Sequence, residues 1–251
     1  MGLKLQHPLV TKQFQIQQMM KVYLRKQGKF ELTEAQIFQG DPINQLNRTD
    51  SSGLIISVRW PIDNKQRDKN IKSRDSISQQ FEKIRLANIK SGKTLKQQLE
   101  DEYNANIKVI LDYVSKIIIK KLKNIPIIAD DLLQNLGIPE HLFWWKHETG
   151  KATDLEGLKK FYLSEEFRNI PYIEITSKMY AQLLTNHKRV IKNGDLMDVE
   201  QMGIVLPYCN YILTDAELGT IIKQFNFNKK YNVKVFSLRN VDILINELNG
   251  L

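Results

Sequence analysis

From residue 11 to 27 the apolar side chains Phe14, Ile16, Met19, Met20, Val22, Tyr23 and Leu24 fall on one broad face at helical spacing, and Gly28 supplies a stop. The spacing predicts a helix packed on one side. Residues 31–52 are polar and punctuated by Gly40-Asp41-Pro42 and Asp50-Ser51-Ser52-Gly53, which reads as a loop with at most one short helix. Residues 54–60 (Leu-Ile-Ile-Ser-Val-Arg-Trp) are rich in β-branched side chains and end at Pro61, as a strand or buried extended segment does. Phe81, Ile84, Leu86 and Ile89 then predict the core face of a helix that Ser91-Gly92 interrupts. Thr94 is placed to cap a second helix, whose apolar stripe Leu95, Leu99, Tyr103, Ile107, Ile110, Val114, Ile117, Ile118 runs to about Leu122. The two form a predicted helical hairpin.

Residues 125–137 read as a short extended piece and then a helix capped by Asp130 and stopped by Gly137. Leu142-Phe143-Trp144-Trp145 is expected to anchor a loop in the core. Thr153-Asp154-Leu155-Glu156 resembles a capping box before a helix reaching Phe167. After Ile170-Pro171 the periods shorten. Helices over 172–186, 195–206, 216–225 and 241–248 alternate with strands over 211–213 and 233–236, an order that implies a parallel sheet covered by helices. The expected class is α/β, helix-rich, with a large helical insertion. Three segments follow from this reading: 1–53, an N-terminal helix and loop; 54–168, a helical region with a basic hairpin; and 169–251, an α/β unit.

Charge changes the picture at one place. The 251 residues carry 37 Lys plus Arg against 28 Asp plus Glu, a net of +9. Residues 62–96 hold ten Lys or Arg and four Asp or Glu, so much of the excess is local. Such a cluster attracts polyanions through Coulomb forces and counterion release, and Lys65, Arg67, Lys69, Lys72 and Arg74 are the candidate contacts to an RNA backbone. The plainer reading is a solvated helix face. A single cysteine, Cys209, excludes an internal disulfide framework and a Cys-rich zinc site. Nothing at the start resembles a leader, and no apolar run approaches a membrane span, so a cytoplasmic location and no membrane partner are expected.

Candidate chemistry gathers in the last third. Asp195 and Asp198 lie three apart and share a helix face, whereas Glu200 turns ~160° from Asp198 at ~100° per residue. Asp215 follows the strand at 211–213, at the carboxyl end where open α/β sheets place their sites. Hard oxygen ligands of this kind suit Mg²⁺ or Mn²⁺, which keep waters for substrate phosphates. The same residues also suit plain structural duties: Asp195 and Asp215 as helix N-caps and Asp198 as a first-turn charge on the helix dipole. Spacing leaves both open. His141 and His147 lack carboxylates at ligand spacing and read as packing or capping residues. His187-Lys188-Arg189 ends a helix, where cations complement the dipole, and Cys209 lies in an apolar context without a paired His. No phosphate-binding Gly loop or nucleophile elbow is present.

The string Ile191-Lys-Asn193-Gly-Asp195-Leu-Met-Asp198-Val-Glu200, then Leu206-Pro207-Tyr208-Cys209-Asn210 and Thr214-Asp215, resembles the C-terminal segment of PIN-like domains, a family of metal-dependent ribonucleases that includes many bacterial toxins. The resemblance covers about residues 170–215. It implies a parallel sheet between helices and acids gathered around metal, with Asp198 and Asp215 as ligands and Asp195 as an accessory acid. Gln201 and Asn210 depart from the family pattern, and the family's opening apolar-apolar-Asp strand has no counterpart near the N-terminus. Asp63, Asp130 or Glu34 are the available stand-ins for the acids that precede this segment. The resemblance thus implies a Mg²⁺- or Mn²⁺-dependent endoribonuclease, a toxin or defence effector, complete or incomplete in this chain. The alternative is a noncatalytic RNA-binding or protein-interaction subunit of such a system, with a second copy or an antitoxin-like protein as partner.

Overall fold

The computed structural model describes residues 4–5, 8–25, 30–33, 37–39, 64–124, 138–150 and 154–250. In chain order these form β1 (Lys4–Leu5), α1 (Pro8–Arg25), β2 (Phe38–Gln39), α2 (Asn64–Lys90), α3 (Leu95–Leu122), α4 (Ile138–Thr149) and α5 (Leu155–Tyr162). Then come α6 (Glu165–Arg168), α7 (Pro171–Thr185), α8 (Asp195–Val205), β3 (Tyr211–Leu213), α9 (Ala216–Gln224) and α10 (Phe227–Lys230). The chain closes with β4 (Lys234–Phe236), a 3-10 turn (Leu238–Asn240) and α11 (Val241–Asn249).

Pro171 opens α7, where its missing N–H would have had no helical partner anyway. Almost every residue that follows is buried, from Tyr172 to Ser177 and then Met179, Ala181, Leu183 and Leu184. A helix buried over most of its circumference, its Glu174, Thr176 and Ser177 included, sits at the centre of the fold. Helices α3, α8, α2 and α1 surround it. Gly203 of α8 sets the closest approach, because a Cβ there would meet Thr176 Cγ2 at 2.9 Å and the Tyr172 ring at 3.0 Å. Helix α7 also feeds two cores. Ile170 and Ile173 join Ile16, Met20, Tyr103, Trp145, Phe161, Tyr162 and Phe167. Ile175, Met179 and Leu184 join Val199, Leu206, Ile212, Ile222 and Phe227.

The expected sheet between helices is not what the chain forms. Of the described residues, 74% are helical. Strands β3 and β4 do pair in parallel, with Tyr211 opposite Lys234 and Leu213 opposite Phe236, across the expected helical crossover. Among the described residues no further strand joins them, and β1 pairs only with β2, antiparallel. Two three-residue strands span about 10 Å, too little surface to organise a layer. The fifteen-residue, largely buried helix α7 takes the central place instead.

Helix positions in the last third agree with the sequence reading, and α3 covers the predicted 95–122. Thr94 caps it reciprocally with Gln97: Gln97 N–H donates to Thr94 Oγ1 at 3.3 Å, and Thr94 N–H donates to Gln97 Oε1 at 2.9 Å. Three expectations need correction. Helix α2 forms and Phe81 of its expected core face packs against Tyr180, but Ile84 and Leu86 are exposed, and the buried residues among those described are Ser78, Arg85 and Asn88. The reason is that α2 covers the carboxyl end of α7: Arg85 Nη1 donates to Asn186 O at 2.7 Å and Asn88 Nδ2 to Leu184 O at 3.2 Å. These satisfy carbonyls that a helix end leaves without partners. Leu142–Trp145 lie on helix α4 rather than in a loop, with Trp145 buried and Phe143 exposed. The helix capped by Asp154 ends at Tyr162, and Ser164 caps a separate turn, α6, by accepting from Phe167 N–H. The predicted strand at 54–60 and the helix after Asp130 lie outside the described residues. No helix among the described residues is long and apolar enough to cross a membrane.

Asn88 provides the test of this architecture. Its amide also donates to Gln98 Oε1 at 2.8 Å, so Asn88→Ala strands two buried acceptors. The expected loss is about 1–3 kcal/mol, read as a lower urea midpoint at unchanged slope. Lys90→Ala, exposed on the same helix, should stay within about 0.5 kcal/mol of wild type. Equal midpoints for the two variants would overturn the capping role of α2.

Candidate functional site

The chain leaves α7 at Asn186 and returns to start α8 at Asp195, and the side chains at that return meet the start of α9. Gly194 is the helix N-cap and supplies no side-chain bond. Asp195 therefore caps nothing at the expected position; it reaches back and accepts the Lys192 N–H at 2.8 Å through Oδ2. Its other oxygen takes Nη2 of Arg189. Asp215 is a true N-cap: its Oδ1 accepts Glu217 N–H and Leu218 N–H, both at 2.8 Å. The structural reading of the sequence was right for Asp215. Asp198, on the first turn of α8, accepts no hydrogen bond among the described residues.

Asp195, Asp198 and Asp215 nevertheless line one cleft, with Arg189 beside them and Met179, Leu183, Val199, Leu218 and Ile221 as its apolar floor. The space at its base is ≈ 20 Å³, enough for about one water-sized species. Glu217 adds a fourth carboxylate through a 2.6 Å ion pair to Arg189 Nη1. Four acids thus face one guanidinium. Burial works against the Arg189 cation, and Glu217, Asp195 and Asp215 more than offset it, so its pKa rises. Asp198 shows the opposite imbalance: burial, then the charges of Asp215 and Asp195, push its pKa up, and Arg189 only partly compensates. Arg189 and Glu217 were not legible as site residues. Arg189 reads in sequence as a helix-end cation, yet α7 stops at Thr185 and leaves it in the loop. Glu217 offered only an ordinary first-turn acid.

Other sequence candidates separate from this cleft. Glu200, turned away as its helical position requires, accepts from the Tyr172 and Tyr180 hydroxyls. Burial raises its pKa, with Lys12 opposing, so it is an internal polar contact between α7 and α8. His141 is buried between the Tyr162 hydroxyl and Gln13 Oε1, and burial pushes its pKa down to about 3. It stays neutral as a core residue, while His147 is exposed beside Glu148. The Cys209 thiol is half-buried and pushed up by that burial, which disfavours a nucleophilic role. Lys72 and Arg74 are exposed on α2; the side chains of Lys65, Arg67 and Lys69 lie outside the described residues, as do Asp63, Asp130 and Glu34.

Compared with family models, curated proteins and solved structures, the chain gives no match. Among the described residues, no group of three or more His, Cys, Asp or Glu side chains is disposed to hold a metal ion. What the arrangement can do rests on its charge: a narrow cleft with more negative than positive groups, one of them, Asp198, without a hydrogen-bond partner among the described residues.

That imbalance has a pH signature. Asp198 binds its proton more tightly in the folded chain, so its contribution to stability is present below the unfolded carboxylate pKa and is lost as pH rises through the folded value. Asp198→Asn, neutral at all pH, should therefore melt above wild type at neutral pH. The gain should vanish as pH falls below the ordinary carboxylate range. A variant less stable than wild type at pH 7 without added cation would show that the like charges do not repel as the geometry requires.

Proposed function

We propose that the cleft at the start of α8 takes a divalent cation, Mg²⁺ or Mn²⁺, and supports hydrolysis of an RNA phosphodiester. The observation that carries this reading is Asp198, whose carboxylate has no hydrogen-bond donor among the described residues, shares a cleft with Asp195 and Asp215, and is pushed up by burial and then by both of them. The donor set fits the cation. Mg²⁺ needs only one or two carboxylates because it keeps its waters, and Asp198 together with the unengaged Oδ2 of Asp215 supplies hard oxygens. When bound, the ion neutralises phosphate charge and lowers the pKa of a water. The chain's own residues do the rest. Arg189 fixes Asp195, which is left to orient a water by its remaining lone pairs. The backbone amides on Asp215 hold that carboxylate still. Lys72 and Arg74 on α2 are the candidate contacts to the RNA backbone.

A second reading has its own support. Arg189 already neutralises Asp195 and Glu217, and among the described residues no three acids stand ready to share an ion. Both favour a noncatalytic RNA-binding or protein-interaction subunit, paired with a second copy or another protein.

Cleavage of labelled RNA with and without Mg²⁺ distinguishes the two. Asp215→Asn keeps a good N-cap and should leave the fold intact. It and Asp198→Asn should each lose at least about 100-fold in Mg²⁺-dependent cleavage, the upper end of what outer-shell changes cost. Cleavage unaltered in both variants would remove the site assignment, and a wild type inert with Mg²⁺ and Mn²⁺ would favour the noncatalytic reading.

A further inference from the structure

We propose that the loop 186–194, together with the adjoining turns of α2, is a grip for the phosphate backbone of single-stranded RNA; the choice of RNA rests on the function proposed above. The loop is tied to α2 at three points. Arg85 Nη1 donates to Asn186 O at 2.7 Å, Ile191 N–H donates to Glu82 Oε2 at 3.0 Å, and the Asn193 amide donates to Asp75. Ile191 is buried between these ties, and Lys188 N–H is held by Asn186 Oδ1 at 2.9 Å. The loop's shape is therefore set before any ligand arrives, which lowers the ordering cost of binding.

What this fixed loop presents is cationic. Lys188 and Lys192 are exposed on it, and Lys72 and Lys83, which lie within ~20° of each other around α2 at ~100° per residue, are exposed beside the tie points. None of the four has an ion-pair partner among the described residues. The two acids at the same surface are already engaged, Asp75 with Asn193 and Glu82 with Arg85. A solvated helix face needs no second element, whereas here the cations come from a loop and a helix held together by three hydrogen bonds, and Glu82 between them is neutralised by Arg85. The sequence placed Lys188 as a helix-end cation, but α7 ends at Thr185 and its terminal carbonyls go to Arg85 and Asn88. Lys188 is left for solvent or a ligand. The loop runs directly into Asp195, so a backbone held along it passes the acidic cleft.

The measurement is fluorescence anisotropy of a labelled single-stranded oligouridylate in EDTA, over a range of salt. Lys188→Gln/Lys192→Gln should weaken binding about tenfold, and the slope of log affinity against log salt should fall by about 1.4, as two lost single-strand phosphate contacts require. Lys72→Gln should act in the same direction. Lys159→Gln/Lys160→Gln, exposed on α5, is the control and should leave both quantities near wild type. Loss of affinity in the loop variant with an unmoved control supports the grip. Wild-type affinity and slope in the loop variant, an equal loss in the control, or no RNA binding by wild type would each overturn it. Because binding is read without metal, a wild type that binds through Lys188 and Lys192 but does not hydrolyse with Mg²⁺ would sink the hydrolysis reading and leave the grip standing. Hydrolysis that depends on Asp198, with binding indifferent to the lysines, would do the reverse.

Discussion

Helix α7 buries eleven of its fifteen residues, so each polar group on that buried surface has to find a partner inside the protein or cost about 1–3 kcal/mol. The surrounding elements are arranged to meet that demand. Gln15 of α1 accepts the Tyr172 N–H at 2.7 Å and passes its own amide to Tyr208 at 2.8 Å. Glu174, which burial would push toward neutrality, is held ionised by Lys178 and Lys230, and the Tyr231 hydroxyl donates to it as well. Arg85 and Asn88 of α2 close the far end. Elements far apart in sequence are thus recruited to one helix by its unsatisfied groups as much as by its apolar surface.

The same closure shapes the cleft. Helix α7 ends where Asn186 turns extended, α2 takes the carbonyls freed there, and the loop that follows brings Arg189 to Asp195 at the start of α8 and to Glu217 at the start of α9. Asp195, Asp215 and Glu217 are all engaged there, by Arg189 or by backbone amides. Asp198 is the group left over. A guanidinium among four carboxylates lowers their mutual repulsion without cancelling it, and the cleft keeps a net negative charge.

Much of the local structure was readable. Strand β3, helix α3 and the order of helices after Pro171 follow from periods of two and 3.6 and from breakers such as Gly92, whose φ of 66° suits glycine. The parallel pairing of β3 and β4 was readable too. The architecture was not, because a βαβ order states which strands can pair and says nothing about how many join. The face of α2 was readable only in part: Phe81 packs against the Tyr180 ring, whereas Ile84 and Leu86 obey helical spacing yet stay exposed, because the carbonyls at the end of α7 draw Arg85 and Asn88 inward.

The convergence of Asp195, Asp198 and Asp215 was partly legible, since three-residue spacing and a strand end place them at neighbouring helix starts. Sequence determined which residues could cap, cross or ionise, because those properties depend on a few bonded neighbours. Only the tertiary structure decided that Asp215 caps while Asp195 does not, that Arg189 enters the acidic cleft, and that Lys188 and Lys192 remain exposed. Those outcomes depend on where α7 ends against α2, a contact between residues about a hundred positions apart whose distance and direction no local pattern encodes.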